Sequence, residues 1–183
     1  MRRLMIRAIA AAALLVGAGT APTLANALDT QLQPVASPIP RELVPFDGRE
    51  PPGTIIIRTR ERRLYYVLPD HQALRYGVGV GRPGFTWAGV TRIAYKREWP
   101  DWTPPPQMLR RRPDLPRHME GGVDNPLGAR AMYLAGTLFR IHGSNEPDTI
   151  GHAVSSGCIR MTNDDVIDLY GRARVGARVV VTR

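Results

Sequence analysis

The feature that most constrains this chain is a series of short apolar segments, rich in β-branched and aromatic residues, separated by turn residues. Such segments occupy residues 54–58, 63–68 and 74–80, with charged or proline-containing turns between them. Segments of this length, bounded by turn residues, are typical of strands and are too short for ordinary helices. The sequence therefore predicts a mainly β domain that begins with an antiparallel meander.

Strand-like patterns return near the end of the chain and flank one helix. Apolar residues recur at helical spacing from Val166 to Tyr170. Thr162 or Asn163 can cap this helix, and the two acidic residues that follow suit its positive N-terminal end. The strands predicted around it are residues 131–134, 138–141 and 177–182.

Residues 1–27 have the order of a secretory signal peptide. Three arginines precede an apolar run of about eleven residues, and Ala25, Asn26 and Ala27 form a small-x-small cleavage site, with cleavage after either alanine. A membrane anchor is the alternative, but crossing a bilayer takes about twenty apolar residues. We therefore expect a periplasmic protein with no stable membrane insertion after cleavage.

Residues 28–52 contain six prolines and almost no apolar periodicity, which predicts an extended tether before a folded domain at 53–183. The net charge of +9 falls to +6 without residues 1–27, which carry three arginines and no acidic residue. A basic surface suits polyanions of the cell envelope, or is simply solvated. Nucleic acid is excluded as a partner because the chain is exported and its arginines are scattered.

A proline-rich segment at residues 99–116 includes Trp99 and Trp102. A long irregular segment inside a compact domain is often functional. Its aromatic side chains either line a substrate groove or cover one side of the core, and both interpretations stay open from the sequence.

Cys158 is the only cysteine of the chain, so it cannot form an internal disulfide. It is either a small buried side chain or a nucleophile. His142 lies sixteen residues earlier, at the end of a predicted strand, and is either a structural histidine or the base that takes the thiol proton. A metal site is excluded because His71, His118 and His152 lack ligand spacing.

The neighbours of these two residues favour the nucleophile. A thiol with the ordinary pKa of about 8.5 is mostly protonated at neutral pH, so it needs a base or a nearby positive charge. Arg160 supplies such a charge or binds a substrate carboxylate. Gly157 allows close approach of a substrate, and its amide and that of Cys158 can form an oxyanion hole. No acidic residue is adjacent, so the carbonyl of Gly143 or the hydroxyl of Ser144 must orient the imidazole.

Two motifs carry a resemblance to a known family: IHG at residues 141–143 and SSGCIRM at residues 155–161, followed by Asn163 and Asp165. They resemble the catalytic signature of L,D-transpeptidases of the YkuD superfamily, in its ErfK/YbiS-like branch. The resemblance covers almost all of residues 53–183 and includes EWP at 98–100 and NPLGAR at 125–130.

This resemblance implies a YkuD-type β-sandwich or open barrel with a short helix after the catalytic cysteine. It implies that Cys158 attacks the third residue of a peptidoglycan tetrapeptide stem, usually meso-diaminopimelate, and expels D-alanine to leave a thioester. An amine of a second stem then accepts the acyl group in a 3→3 cross-link. His142 is the expected base, and the Gly143 carbonyl orients it. No cofactor is expected, and the expected substrate contacts are Ser156, Gly157 and Arg160.

Three residues depart from the family pattern or stand out beside it. Ser156 stands where many members have a histidine, although serine is usual in this branch. Asp148 stands where similar sequences often have tryptophan, and His152 is a further ionisable group. Other outcomes of the same thioester are hydrolysis and transfer to a lysine of an outer-membrane lipoprotein. A non-catalytic peptidoglycan-binding domain is disfavoured, because a binder needs no thiol with a base at this spacing.

Overall fold

The computed structural model describes residues 37–183, so the predicted signal peptide and residues 28–36 of the predicted tether lie outside the described residues. The two α-helices of the described part are α1 (Pro106–Arg111) and α2 (Asn163–Arg172), and neither is long and apolar enough to span a membrane. A 3₁₀ turn occupies Pro147–Thr149. The strands are β1 (Glu42–Pro45), β2 (Ile55–Arg58), β3 (Arg63–Leu68), β4 (Gln72–Gly77), β5 (Val80–Gly81), β6 (Gly89–Glu98), β7 (Arg130–Leu134), β8 (Arg140–His142), β9 (Ala153–Ser155), β10 (Ile159–Arg160) and β11 (Arg178–Thr182).

Nine of these strands form one sheet in the order β1-β4-β3-β2-β11-β6-β7-β8-β10, and β5 pairs with β9. The predicted meander is confirmed, because β2, β3 and β4 are successive antiparallel neighbours. β11 lies parallel to β2 and antiparallel to β6, so it joins the two halves of the sheet. The mainly β prediction is confirmed.

The core lies against both faces of the meander. Strand alternation places Ile55 and Ile57 in the larger cluster, which continues beneath α2 to Val166. Ile56 points to the opposite face and joins a smaller cluster around Tyr65. Each fully buried aliphatic side chain contributes about 1.5–3 kcal/mol to folding, so these two clusters hold the sheet in place.

Helix α2 begins at Asn163 and is fixed at both ends. The Oγ1 atom of Thr162, its N-cap residue, accepts a hydrogen bond from the Asp165 amide at 3.3 Å, as the sequence predicts. At the other end, Lys96 Nζ donates to the carbonyl of Ala173 at 2.8 Å, where a positive charge suits the helix dipole. The helix therefore holds the end of the chain segment that contains Cys158.

The folded part of the chain begins before residue 53, which differs from the predicted tether at 28–52. β1 pairs with the edge of the meander, where Leu43 lies opposite Leu74. Phe46 is only 5% exposed and packs against the ring of Tyr65, with centroids 6.2 Å apart. Proline is tolerated on an edge strand because its missing N–H faces solvent. The proline content of this segment was therefore compatible with a strand.

Two further elements differ from the sequence-based expectations. β6, ten residues long, was not predicted, because charged residues occupy many of its positions and its register is interrupted between Ile93 and Tyr95. The segment 99–116 contains helix α1. Trp102 is buried and pairs with Met119, whereas Trp99 is 43% exposed.

Candidate active site

The two strands that carry the predicted site are parallel neighbours. In the pairing of β8 with β10, Ile141 lies opposite Ile159 and His142 lies opposite Arg160. Both isoleucines are buried in the core, so the alternation of strands places His142 and Arg160 on the other face. Cys158 is the residue immediately before β10. The strand pairing therefore places the chain segments that carry His142 and Cys158 side by side.

His142 is held in one tautomer by its neighbour. It is 3% exposed, and its Nδ1–H donates to the carbonyl oxygen of Gly143 at 2.6 Å. A carbonyl can only accept, so Nδ1 carries the proton and Nε2 is a free acceptor. The Ser144 hydroxyl accepts instead from the Glu146 amide at 2.9 Å. Of the two orienting groups considered from the sequence, Gly143 is the one that contacts the ring.

Burial keeps both the histidine and the thiol neutral in the resting site. Burial, with the positive charges of Arg160 and Arg140, lowers the pKa of His142 to about 3, although the Gly143 carbonyl opposes this shift. Burial also raises the pKa of the Cys158 thiol, against the opposite influence of the same two arginines. Arg160 therefore stabilises the thiolate, as the sequence predicts, but it lowers the pKa of the thiol by less than burial raises it.

Cys158 lies in a tight turn between β9 and β10. The two residues of β10, followed by Met161 and Thr162, separate it from the start of α2. Gly157 has φ +111°, a backbone conformation that residues with a side chain rarely adopt. A Cβ atom at this position would also overlap the ring of Phe139. Its carbonyl accepts from Trp87 Nε1 at 2.9 Å. Gly157 is thus required by the turn itself.

Ser155 fixes this turn, and the sequence reasoning did not identify it. Its Oγ donates to the Cys158 carbonyl at 2.6 Å and accepts from the Gly157 amide at 3.1 Å. The Gly157 amide is therefore already engaged, and of the two amides considered for an oxyanion hole, that of Cys158 is the better candidate. A serine two or three residues before a turn often bonds to its backbone, which was the available sequence signal.

We expect Ser155→Ala to lower the free energy of unfolding by about 1–3 kcal/mol, because it leaves a buried amide and carbonyl without their partner. Chemical denaturation measures this change. Ser156→Ala is the matched control, since the Ser156 hydroxyl makes only a 3.3 Å hydrogen bond with Arg82 and its loss is expected to cost less. Equal stability of the two variants would contradict the structural role of Ser155.

The buried neutral His142 makes the stability of the domain pH-dependent. The unfolded chain binds a proton at this position below about pH 6.5, but the folded site resists protonation until about pH 3. The contribution of His142 to the free energy of unfolding is therefore fully present above about pH 6.5. It is lost as the pH falls below that value, by about 1 kcal/mol for each pH unit. Denaturant titrations from pH 7 to pH 4.5 should show a smaller slope for His142→Gln than for the exposed-site control His152→Gln. Parallel slopes would refute the assignment.

The remaining predicted residues are arranged around the thiol or the loop that precedes it. Arg160 Nη1 donates to Glu146 Oε2 at 2.8 Å, so this cation is already paired with a carboxylate. The Ser156 hydroxyl accepts from Arg82. Asp148 lies in the 3₁₀ turn, and both Asp148 and His152 are exposed. None of the described hydrogen bonds or ion pairs connects either side chain to the site.

An aromatic row leads away from the thiol and was also not identified from the sequence. The guanidinium carbon of Arg140 lies 5.1 Å from the centroid of the Tyr133 ring, which stacks on Tyr95 with 4.1 Å between centroids. Tyr95 and Tyr133, with Trp99, line an open cavity of about 490 Å³. The pair spans strands β6 and β7, so its contact depends on sheet register and has no local sequence signal.

A partly buried thiol and a buried, neutral histidine on neighbouring segments of a mainly β scaffold form a candidate site for nucleophilic catalysis by cysteine. The chain matches the family described as L,D-transpeptidase catalytic domain, YkuD, over residues 52–181. It is 40% identical over 136 residues to the Escherichia coli protein named Probable L,D-transpeptidase ErfK/SrfK, covering 69% of this chain. The chain belongs to the L,D-transpeptidase family, and the resemblance to its ErfK/YbiS-like branch is confirmed.

Solved structures agree with this fold. A Brucella melitensis protein named Probable carnitine operon oxidoreductase is 44% identical, and the match covers 81% of this chain and 96% of that one, with a TM-score of 0.54. An L,D-transpeptidase from Mycobacterium smegmatis has a TM-score of 0.57 at 16% identity over 71% of this chain and 58% of its own, which shows the fold alone. The chain spans 43% and 42% of the first two curated relatives it matches.

Proposed function

We propose that this chain is a peptidoglycan L,D-transpeptidase that forms 3→3 cross-links through a thioester on Cys158. The observation that carries the proposal is the 2.6 Å hydrogen bond from His142 Nδ1 to the Gly143 carbonyl. It leaves Nε2 as an unprotonated acceptor, on a strand that pairs with the strand directly after Cys158. An unprotonated ring nitrogen beside a thiol is what general-base activation of a cysteine requires.

In the acylation step, the Sγ atom of Cys158 attacks the carbonyl carbon of the third stem residue, meso-diaminopimelate. Nε2 of His142 accepts the thiol proton, and the Cys158 amide donates to the oxyanion that forms. The amide bond to the terminal D-alanine then breaks, and the imidazolium returns the proton to the nitrogen of the departing D-alanine. A thioester remains on the enzyme.

In the transfer step, a side-chain amine of a second stem attacks the thioester carbonyl. His142 takes one proton from this amine and returns it to Sγ as the carbon–sulfur bond breaks. One amide bond has then been exchanged for another, so no further co-reactant is needed. The product is the 3→3 cross-link, and the thiol is ready for another donor.

Ser156, Gly157 and Arg160 are the proposed substrate contacts around this chemistry. Gly157 acts by shaping the turn, and Ser156 lies next to it with its hydroxyl near Arg82. Arg160 is paired with Glu146 and acts on the site mainly through its charge, which lowers the pKa of both His142 and Cys158.

An oxidoreductase role, which the name of the Brucella protein suggests, does not fit the glycine-rich segment at residues 77–84, which contains Gly77, Gly79, Gly81 and Gly84. That segment lies around β5 and is followed by strand β6. A dinucleotide-binding loop instead requires a strand followed at once by a helix, whose N-terminus receives the phosphates. The Cys158–His142 arrangement supports acyl transfer.

We further propose that the protein works in the periplasm after removal of residues 1–27. The order of charged, apolar and small residues in that segment supports export, and the peptidoglycan substrate lies outside the cytoplasmic membrane. The basic charge that remains suits an envelope rich in carboxylates and phosphates.

Mass spectrometry of purified tetrapeptide muropeptides after incubation with the protein tests the proposal, with Cys158→Ala as control. A dimer accompanied by loss of D-alanine is expected. Tripeptide without dimer would indicate hydrolysis, and conjugation to an added lysine-bearing lipoprotein peptide would indicate protein anchoring. If neither the wild type nor Cys158→Ala changes the muropeptides, the enzymatic function is refuted and only the peptidoglycan-binding domain remains as an interpretation.

A further inference from the structure

Arg140 lies beside the nucleophile and has no role in the acyl-transfer steps. It is the first residue of β8, two residues before His142, and therefore shares the face of the sheet on which His142 lies. Extending the pairing of Ile141 with Ile159 by one residue places Arg140 opposite Cys158. Consistent with this position, the charge of Arg140 lowers the pKa of the Cys158 thiol, whereas burial raises it.

The guanidinium of Arg140 has no carboxylate partner among the described residues. Its Nε is buried and makes no hydrogen bond within residues 37–183. None of the ion pairs in the described part of the chain involves Arg140, whereas Arg160 on the neighbouring strand is paired with Glu146. A buried, unsatisfied donor on a charged group is costly, so it indicates a missing acceptor.

The Tyr133 ring supports Arg140 without neutralising it. The guanidinium carbon lies 5.1 Å from the ring centroid, and Tyr133 is itself stacked on Tyr95. Such stacking orients the planar group without neutralising its charge, so the guanidinium can still bind an anion. An arginine held in this way matches a carboxylate, which can accept two parallel hydrogen bonds from the guanidinium.

We propose that Arg140 forms a carboxylate-binding subsite beside Cys158, which selects donors that carry a carboxylate next to the scissile amide. This inference rests on the proposed function. A tetrapeptide donor has two such carboxylates: the terminal carboxylate of D-alanine, one residue beyond the bond that breaks, and the side-chain carboxylate of meso-diaminopimelate. The terminal one is the expected ligand, because its distance from the scissile carbonyl distinguishes a tetrapeptide from a longer stem.

The test compares three synthetic donors: the tetrapeptide, its C-terminal carboxamide, and a tetrapeptide with lysine at the third position. Release of D-alanine or D-alaninamide gives kcat/KM for the wild type, Arg140→Gln and Arg140→Lys. Arg97→Gln is the matched control, because Arg97 is exposed and lies 5.7 Å from the Tyr95 ring at the other end of the aromatic pair. The wild type and Arg97→Gln are expected to prefer the free acid about 10–100-fold. Arg140→Gln should lose that preference, and Arg140→Lys should keep part of it.

Alkylation of Cys158 by iodoacetamide across a pH range supplies a second readout. Arg140→Gln should move the alkylation profile to higher pH, which a purely structural role of Arg140 would not do. The alkylation profile also shows whether Arg140→Gln retains a folded site. If Arg140→Gln does not fold, Arg140→Lys takes its place in both measurements.

The outcomes separate this inference from the proposed function. If Arg140→Gln instead removes the preference for meso-diaminopimelate over lysine, the subsite holds the side-chain carboxylate. If Arg140→Gln releases D-alanine with both preferences intact, the subsite is refuted and the transpeptidase proposal stands. If the wild type releases D-alanine from none of the donors, the proposed function fails and the subsite fails with it.

Discussion

Cys158→Ala is expected to reduce release of D-alanine from a tetrapeptide donor by at least about 10³-fold, because no other thiol exists in the chain. A carbapenem should acylate the wild type on Cys158, and intact-mass measurement should find no adduct on the variant. Cys158→Ser should be similarly impaired, since a hydroxyl is far harder to deprotonate than a thiol in the same buried position.

The stability of the variants shows whether this loss of activity is due to unfolding. Cys158 is only partly buried, and the turn around it is held by the hydrogen bonds of Ser155. Both Cys158 variants should therefore unfold at a denaturant concentration close to that of the wild type. Activity of Cys158→Ala within tenfold of the wild type would mean that another group is the nucleophile.

His142→Asn is expected to lower kcat/KM for acylation by about 10²–10⁴-fold at neutral pH, the usual contribution of a positioned general base. The raised pKa of the Cys158 thiol makes this dependence strong, because little thiolate forms without the base. The deficit should shrink as the pH rises and the thiolate forms unaided. A pH series of D-alanine release with saturating enzyme measures both effects.

Ser144→Ala is the matched control for His142→Asn. Ser144 follows the same strand and is buried, but its hydroxyl accepts from the Glu146 amide and does not contact the ring. It should keep the pH profile of the wild type. If Ser144→Ala acquires the steep pH dependence expected of His142→Asn, the hydroxyl and not the Gly143 carbonyl orients the base.

The parts of the site that could be predicted from the sequence are those encoded in short motifs. His142 at the end of a strand, Gly143 after it, and Cys158 in a glycine-containing turn are local features, and one strand pairing places their two chain segments side by side. Helix α2 was predictable for the same reason, because its cap and its apolar spacing lie within a dozen residues.

The parts that could not be predicted depend on contacts between distant segments. Arg140 and Tyr133 meet only because β7 and β8 pair in one register, and a shift by one residue would move either side chain to the other face. The strand β1 was hidden by its proline content, since the edge position that tolerates proline is a property of the sheet. Burial, which sets the protonation of His142 and Cys158, likewise follows from the assembled fold.

Thioester formation on Cys158 is tested most directly by the mass of the acyl-enzyme formed from a tetrapeptide donor without an acceptor, quenched in acid and mapped by proteolysis. The predicted result is an adduct equal to the donor minus D-alanine, released by hydroxylamine as a thioester and located on the fragment that contains Cys158. Consumption of the donor with unmodified Cys158, or an adduct that retains D-alanine, would rule out acyl transfer through a thioester on Cys158.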